Sequence, residues 1–339
     1  MNKKFEGEFA RIMADENYSQ DEKVAALQAN LSKMNIGHGN NLDSMLECIE
    51  EYGVTVPTGY PEIDMLLKGG FRTGLNIFAA PPGSGKSTLA LQFAERFSSW
   101  GTQTVYFCND MSEEEMVCKA ISRHSYLIAG EQGFEAEQVV GLKNNLRQSD
   151  VFKRACVSFK ENAEKLTFVG DDYSTHLNDI KRLIEHYGTY GTGSDQTVII
   201  IDYLQNIAVD GVNGDKERLD VLVRELKALA KKHRLVIIAI SSVNRNSYGR
   251  ELSMTSLKES GGIEFCADLV LVLQFERVGD DDFDWKKESS KTIRDMELVV
   301  LKQRMGRIGE PLPIKYYPKF DLIPFMDKRP SFSKAQSKK

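Results

Sequence analysis

Seven short apolar runs, separated by helical patterns, dominate the chain from residue 54 to about residue 318. The runs are rich in valine and isoleucine and alternate little, which is typical of strands buried on both faces of a parallel sheet. They are Leu75–Ala80, Thr104–Cys108, Leu166–Val169, Thr197–Ile201, Val236–Ser241, Leu269–Gln274 and Glu297–Leu301. Helical patterns such as RLDVLVRELKALAKKH lie between most of them. The alternation predicts an α/β domain over residues 54–325, with a doubly wound, mostly parallel sheet flanked by helices.

The N-terminal residues have a different pattern, which predicts helices only. In YSQDEKVAALQANLSKM, Ser19 stands three residues before Glu22, as in a capping box, and apolar side chains follow at helical spacing. In NNLDSMLECIEEYG, apolar side chains fall on one helical face, and Gly53 suits a C-cap. We predict a short helical segment over residues 1–40 and an amphipathic linker helix over 41–53. The apolar stripe of this helix packs either within the chain or on a neighbouring subunit.

Composition and charge narrow the class of protein. Of the 339 residues 41% are apolar and the net charge is −5, so any contact with nucleic acid would have to come from local loops. The five cysteines form no CxxC motif, which predicts reduced thiols rather than a zinc site or a disulfide framework. No stretch resembles a leader peptide or a membrane span, so we expect a cytoplasmic protein with no membrane partner. The basic, serine-rich stretch 326–339 is expected to be disordered.

The stretch APPGSGKST follows the apolar run LNIFA and opens the helical pattern STLALQFAERF. This is the context of a P-loop, in which backbone N–H groups converge on phosphate oxygens at the positive end of a helix dipole. Lys86 is expected to reach the β- and γ-phosphates, and Ser87 to offer its hydroxyl to Mg²⁺. The predicted nucleotide-binding residues are Pro82, Gly83, Ser84, Gly85, Lys86, Ser87 and Thr88. Ala80 occupies the position where the first glycine of the motif is usual.

A carboxylate at the end of another strand completes the motif. In TVIIIDYLQ, Asp202 follows an apolar run at the strand edge where ligands bind in open α/β sheets. Asp202 would hold Mg²⁺ directly or through water, and the alternative is a solvated aspartate at a strand end. With the P-loop, it predicts binding of ATP and Mg²⁺.

The stretch YFCND ends a third buried strand at Asp110. Asn and Asp often end strands because they turn the chain. The alternative is catalytic: we expect this strand to lie beside the P-loop strand and to end near the γ-phosphate. A carboxylate there can orient and deprotonate the attacking water.

With these residues placed, the chain resembles the ATPase domain of DnaB-type replicative helicases, a branch of the RecA-like hexameric motors. The likeness spans about residues 41–318, and the stretches that carry it occur in the family's order. They are TGYPEIDMLLKGGFRTG, APPGSGKST, FCNDMSEEEM, IDYLQ, RELKALAKKHRLVIIAISSVNR, LKESGGIEFCADLVLVL and LKQRMGRIG. The resemblance implies a RecA-like P-loop NTPase fold. It also implies a hexameric ring that moves 5′→3′ on single-stranded DNA during replication.

The resemblance further implies roles for residues at matching positions. Gln205 would sense the nucleotide state and relay it towards the DNA side. Lys302 and Arg304 would act on the ATP of the adjacent subunit, where an arginine neutralises the charge that develops on the γ-phosphate. The alternative for these two is a solvated basic pair at a strand end.

The same resemblance implies a loop that lines the central channel of the ring. In LKESGG, this loop would contain Lys258, Glu259 and Gly261, because lysine and exposed backbone N–H groups suit a grip on phosphates that ignores sequence. The alternative is an ordinary loop before a strand. Arg245 and Arg250 are weaker candidates for the same channel.

Several departures from the family limit what can be carried over. Asp110 replaces a glutamate, which bears on the rate of hydrolysis but not on nucleotide binding, and Ser242 stands where glutamine is common. About forty residues precede NNLDSMLECIEEYG, so the family's N-terminal domain is expected to be absent, and its contacts to a loader or primase are not implied. The compact chain suggests a phage, plasmid or mobile-element helicase. Two rival functions remain open: a RecA-like regulatory or strand-exchange ATPase, and an assembly module that hydrolyses ATP weakly.

Overall fold

The computed structural model describes Ser19 and residues 54–170, 175–190, 196–257, 261–306 and 308–325. The predicted helices of residues 1–53, the stretch 326–339 and the channel-loop residues Lys258 and Glu259 therefore lie outside the described residues. The chain divides between Val54 and Thr55, and the fold below is that of the second unit. The segment boundaries proposed from the sequence stay predictions.

Ten strands are present in the described part of the chain. They are β1 (Thr55–Val56), β2 (Phe71–Arg72), β3 (Gly74–Ala80), β4 (Gln103–Cys108), β5 (Leu166–Val169), β6 (Thr197–Asp202), β7 (Val236–Ser242), β8 (Leu269–Phe275), β9 (Arg294–Gln303) and β10 (Leu312–Tyr316). The first two pair with each other, and the other eight form one sheet in the order β10-β9-β8-β3-β7-β6-β4-β5.

Nine α-helices connect these strands within the same residues. They are α1 (Pro61–Leu66), α2 (Lys86–Ser99), α3 (Glu113–Ala129), α4 (Ala136–Val139), α5 (Asp150–Asn162), α6 (Leu177–Tyr190), α7 (Asp215–His233), α8 (Gly261–Cys266) and α9 (Trp285–Ser289). No helix among the described residues is both long enough and apolar enough to cross a membrane.

The six strands from β8 to β5 run parallel, which confirms the predicted parallel core. Every residue of β3, β6 and β8 is buried, because apolar side chains cover both faces of the sheet. On one face Phe78 of β3 packs with Phe93 of α2. On the other face Ile77 belongs to one apolar cluster with Leu222 of α7 and Ile180 of α6. The predicted doubly wound architecture is therefore present.

The β9 and β10 edge of the sheet departs from the prediction. β9 was expected to be buried on both faces of the parallel sheet, but it pairs antiparallel with β8 and β10. Its sequence RDMELVVLKQ contains charged residues near both ends, and its central side chains alternate between buried and half-buried. Strand β10 was not predicted, because LPIKY contains a proline and a lysine, which are typical of edge strands. This antiparallel edge reaches the phosphate loop.

Candidate nucleotide-binding site

The P-loop connects the buried strand β3 to the first residue of α2, Lys86. Gly83 and Gly85 have φ angles of +72° and +91°, in the left-handed region that side chains rarely adopt. A Cβ on Gly85 would also lie 3.1 Å from the ring of Tyr316. The Oγ of Ser84 is buried with no hydrogen-bond partner among the described residues. The loop thus has the backbone shape of a phosphate cradle and an unused donor.

Two residues that sequence reasoning missed hold this loop from the antiparallel edge. Nη1 of Arg294, the first residue of β9, donates a hydrogen bond to the carbonyl oxygen of Gly83 at 2.6 Å. Its guanidinium also lies 5.6 Å from the ring centroid of Tyr316, the residue packed against Gly85. Burial raises the pKa of Tyr316 to about 12, so the phenol stays neutral beside the loop. No sequence motif marks either residue.

Thr88 faces the C-terminal part of the chain. Its hydroxyl donates to Oδ1 of Asp321 at 3.1 Å, and the same oxygen accepts from Lys119 at 2.5 Å. Thr88 is 2% exposed and Asp321 is 5% exposed. Its role at the nucleotide stays a prediction, and Asp321 already engages its hydroxyl.

Asp202 is buried at the carboxyl end of β6, with its two carboxylate oxygens in different environments. Oδ2 accepts a hydrogen bond from the Tyr106 hydroxyl at 2.8 Å, whereas Oδ1 has no partner of hydrogen-bond geometry in the described residues. Burial raises the pKa of Asp202, while the Ser87 hydroxyl, Tyr106 and the Lys86 charge lower it. The net rise shows that these neighbours do not fully compensate the buried charge.

The residues present fit Mg²⁺. A buried carboxylate oxygen without a donor is unfavourable, and a hard divalent cation is a suitable partner for it. Ser87 and Oδ1 of Asp202 would hold the ion, which would supply positive charge against the phosphates of the nucleotide. The described residues contain no cluster of three or more His, Cys, Asp or Glu that would form a separate metal site.

Replacing Asp202 with asparagine should raise the stability of the nucleotide-free protein and abolish hydrolysis. The amide can still accept the hydrogen bond from Tyr106, but the unfavourable buried charge is gone. We expect a higher melting temperature and an ATPase rate at least ~100-fold lower. Asp110→Asn is the matched control, because Asp110 is exposed and its variant should lose activity without becoming more stable. A lower melting temperature for Asp202→Asn would contradict the argument.

Asp110 follows a short turn whose backbone is hydrogen-bonded to Asp202. Cys108 pairs with Asp202 in the parallel register of β4 and β6, and the Asn109 N–H donates to the Asp202 carbonyl oxygen at 2.7 Å. Nδ2 of Asn206 donates to the Asn109 carbonyl oxygen at 2.6 Å. Asp110 follows this anchored turn, is exposed, and is close enough to raise the pKa of Asp202.

The expected position of the Asp110 strand was wrong. β4 does not lie beside the P-loop strand β3, because β7 and β6 separate the two. The chain crosses over after α2 and returns three positions away in the sheet, and neither apolar pattern nor length specifies that step. The carboxyl ends of β3, β6 and β4 nevertheless face the same edge, because the strands are parallel.

The turn after β4 also bears on whether Asp110 merely ends a strand. The cap of α3 is formed by Ser112, whose Oγ accepts from the Glu115 N–H at 3.2 Å while Glu115 accepts from the Ser112 N–H at 2.8 Å. Asp110 has no part in this capping box. Its exposure beside Asp202 favours the catalytic interpretation, which stays a prediction.

Gln205 bridges two strand ends next to the P-loop. Its Nε2 donates to the Ser241 Oγ at 2.9 Å, and its Oε1 accepts from the Ser242 N–H at 3.3 Å. Ser241 and Ser242 pair with Ala79 and Ala80, the last two residues before the loop. The geometry therefore suits a side chain that links the Asp202 strand to the P-loop strand. Ser241 was not anticipated as its partner.

Lys302 and Arg304 lie towards the amino ends of the parallel strands, at the end of the sheet away from the P-loop. Nζ of Lys302 donates to the Glu264 carbonyl oxygen at 2.5 Å, and Nη1 of Arg304 lies 3.5 Å from Oδ1 of Asp268. Oδ2 of Asp268 accepts from the Leu75 N–H at 2.9 Å, at the start of β3. Burial lowers the pKa of Lys302, and Arg304 also lowers it, whereas Asp268 raises it.

This placement separates both residues from the P-loop of their own chain. A strand covers about 17 Å from Leu75 to Ala80, at the usual rise of ~3.3 Å per residue. The loop lies beyond Ala80, whereas Asp268 and Arg304 lie level with Leu75 and the backbone of Lys302 lies level with Ile77. One chain therefore does not bring Lys302 or Arg304 together with Lys86.

The predicted DNA-contacting residues that are described lie in two places. Arg245 and Arg250 line an open, polar cleft of about 510 Å³ at the end of β7. Val243 and Leu257 pair across the base of this segment, immediately before Lys258. Gly261 begins α8, on the far side of the undescribed loop residues. The cleft thus adjoins the predicted channel loop along the chain.

The fold and the site define a class of protein before any relative is considered. A glycine-rich loop after one parallel strand and a buried aspartate at the end of another define a P-loop NTPase. Antiparallel strands extend the parallel core at one edge only, through β9 and β10.

The chain belongs to the family of DnaB-like helicase C terminal domains, whose model matches residues 55–322. It is 28% identical over 276 residues to the replicative DNA helicase DnaB of Geobacillus stearothermophilus, covering 78% of this chain and 56% of that protein. It is also 28% identical over 263 residues to the replicative DNA helicase DnaC of Bacillus subtilis, covering 75% and 53%. The chain thus spans about half the length of the curated relatives it matches.

Two solved structures show the same fold. One, an isolated ATPase domain, has a TM-score of 0.69 and 20% identity, over 85% of this chain and 99% of that one. The other, a DnaB-like replicative helicase described with its interactions with primase, has a TM-score of 0.68 and 20% identity, over 95% and 75%. The predicted family and RecA-like fold are confirmed.

Proposed function

We propose that this chain is an ATP-dependent DNA helicase and translocase of DNA replication, moving 5′→3′ on single-stranded DNA as a hexameric ring. The placement of Lys302 and Arg304 carries the proposal. A P-loop that is separated from Lys302 and Arg304 of its own chain can be completed by the same two residues of the next copy, as in a ring of head-to-tail subunits. The curated relatives are replicative DNA helicases, which supports the same conclusion. The direction of movement and a phage, plasmid or mobile-element origin rest on the resemblance alone.

Each residue of the site has a role in hydrolysis. Lys86 and the loop N–H groups would bind the β- and γ-phosphates, while Ser87 and Asp202 hold Mg²⁺. Asp110 would orient a water molecule and take its proton as the oxygen attacks the γ-phosphorus. The bond to the β–γ bridging oxygen then breaks, and the neighbour's fingers neutralise the charge that develops.

Movement requires that the nucleotide state reach the DNA. Gln205 connects the end of the Asp202 strand to β7, whose chain continues into the cleft lined by Arg245 and Arg250. A change in phosphate occupancy would shift this connection and the channel loop beyond it. Basic side chains in such loops hold the backbone phosphates of single-stranded DNA without reading its sequence.

Contact with a primase or loader is a further part of the proposal. One structural neighbour is a DnaB-like replicative helicase described with its primase interactions. No residue of this chain is assigned to such a contact.

The decisive experiment measures ATP hydrolysis with and without single-stranded DNA, and unwinding of 5′-tailed and 3′-tailed duplexes. The unaltered chain should hydrolyse ATP faster with DNA and unwind only the 5′-tailed duplex. Lys86→Ala should lose at least ~100-fold of the hydrolysis while keeping its melting temperature. Filaments that pair strands without unwinding would favour a strand-exchange ATPase. Rings that bind ATP but turn it over negligibly would favour an assembly module, which the shorter carboxylate of Asp110 makes the stronger rival.

A further inference from the structure

Tyr106 places a hydroxyl group in the interior of the sheet, beside the buried carboxylate of Asp202. The side chain is fully buried in β4, and its ring packs edge-on against Phe168 at a centroid distance of 5.9 Å. An apolar ring would satisfy this environment, because the surrounding cluster is made of hydrophobic side chains. The hydroxyl is therefore the feature that needs an explanation.

The register of the sheet directs that hydroxyl at one oxygen of Asp202. Tyr106 pairs with Ile200, and Asp202 lies two residues further along β6 on the same face. The phenol donates to Oδ2 at 2.8 Å, whereas Oδ1 has no partner of hydrogen-bond geometry in the described residues.

We propose that Tyr106 is a positioning residue that fixes the Asp202 carboxylate so that Oδ1 is the oxygen presented to the divalent cation. The proposal rests on the proposed function, since it concerns the metal of the same nucleotide site. Without the phenol, the carboxylate can rotate about its Cβ–Cγ bond, and either oxygen can turn away from Ser87. Groups that orient a metal ligand in this way typically change metal affinity or activity 10–100-fold when they are removed.

The test replaces Tyr106 with phenylalanine in the full chain, which removes one oxygen atom and keeps the ring. Calorimetry measures the affinity for ADP with and without Mg²⁺. The affinity without Mg²⁺ should be unchanged, whereas the additional affinity that Mg²⁺ confers should fall about tenfold. In ATPase assays, half-saturation with Mg²⁺ should shift about tenfold upwards, and kcat should recover largely at saturating Mg²⁺.

Tyr60→Phe is the matched control. Tyr60 is also buried and its hydroxyl also has a side-chain partner, since it accepts from Nε2 of Gln92 at 3.3 Å. Removing that hydroxyl should leave the response of ADP affinity to Mg²⁺ unchanged. A loss shared by both variants would show a general packing effect and overturn the assignment.

Failure of this inference is distinguishable from failure of the proposed function. One outcome is that Mg²⁺ increases the ADP affinity of the unaltered protein and of Tyr106→Phe by the same factor. In that case only the role of Tyr106 is wrong. Equal weakening of ADP binding with and without Mg²⁺ in Tyr106→Phe would likewise overturn it, as damage to the loop. If Mg²⁺ leaves the ADP affinity of the unaltered protein unchanged, both the metal site and this inference fail.

Discussion

Mixing two inactive variants, Lys86→Ala and Arg304→Ala, should restore ATP hydrolysis to about a quarter of the unaltered rate. Each variant alone should be at least ~100-fold slower, because one lacks the lysine proposed to bind phosphate and the other the arginine proposed as the finger. In a mixed ring, the intact P-loop of an Arg304→Ala chain can meet the intact Arg304 of a Lys86→Ala chain. Each half is intact in half of the subunits, so about one interface in four is complete.

This expectation follows from the position of Arg304. The residue lies at the amino ends of the parallel strands, whereas the P-loop lies at their carboxyl ends. Its guanidinium is 3.5 Å from Oδ1 of Asp268, and the side chain is 59% exposed. An arginine that contacts only its own chain would not be rescued by a neighbour. The measurement is DNA-stimulated ATPase at a fixed total protein concentration across a series of mixing ratios. Activity should peak near equal amounts and vanish at both ends.

Arg277→Ala is the matched control for loss of an arginine. Arg277 is 65% exposed and its ion pairs are with Asp280 and Asp282 of its own chain. This variant should keep full activity and should not need mixing. Full activity of Arg304→Ala by itself, or no recovery at any ratio with Lys86→Ala, would show that the finger assignment is wrong.

The parallel core and the phosphate loop could be predicted because their signals are local. Apolar runs such as Thr197–Ile201 are buried on both faces, and glycines with positive φ lie where the motif requires them. Burial at a strand end is also local, which is why Asp202 could be identified from TVIIID alone. Each of these features depends on residues within about one turn or strand of each other.

The parts that could not be predicted depend on contacts between distant residues. Arg294 holds the Gly83 carbonyl oxygen across 211 positions, and Asp321 accepts from Thr88 across 233. Nothing in the local pattern of β9 indicates that its first residue meets the phosphate loop. The order of strands is also a property of the whole sheet, so the separation of β4 from β3 had no local signal. The hydrogen bond from Tyr106 to Asp202 depends on the register of β4 and β6, which follows only from that order.

Removing Arg123 should destabilise the protein more than removing any exposed arginine. Arg123 is 2% exposed, and Nη2 lies 2.6 Å from Oε1 of Glu95. Oε2 of Glu95 lies 3.2 Å from Nε2 of His124, and Nη1 of Arg123 donates to the Asp321 carbonyl oxygen at 3.1 Å. These buried groups join α2, which follows the P-loop, to α3, which follows Asp110. Loss of one partner should therefore leave an unpaired charge between the two helices of the site.

The pH dependence of stability should reflect the buried carboxylate of Glu95. Burial alone would raise the pKa of Glu95, but Arg123 and His124 outweigh burial and hold that pKa below its ordinary value. The stabilisation is therefore complete above the ordinary pKa of 4.5 and is lost as the pH falls through the lowered value. Urea unfolding should show this loss when it is measured from about pH 3 to about pH 7, which spans the titration of a carboxylate. In Arg123→Met, the free energy of unfolding should depend less on pH over this range.

Arg123→Met should lower the free energy of unfolding by about 3–5 kcal/mol, because it strands the Glu95 carboxylate in the interior. Nε2 of His124 remains 3.2 Å from Oε2 of Glu95, which favours the lower end of the range. The double variant Glu95→Met, Arg123→Met should be less destabilised than Arg123→Met alone, since it removes both charges and keeps the volume filled. Arg154→Met is the control, because Arg154 is 62% exposed and lies 3.9 Å from Asp150. A double variant at least as unstable as the sum of its single variants would show that packing, and not the stranded charge, determines the effect.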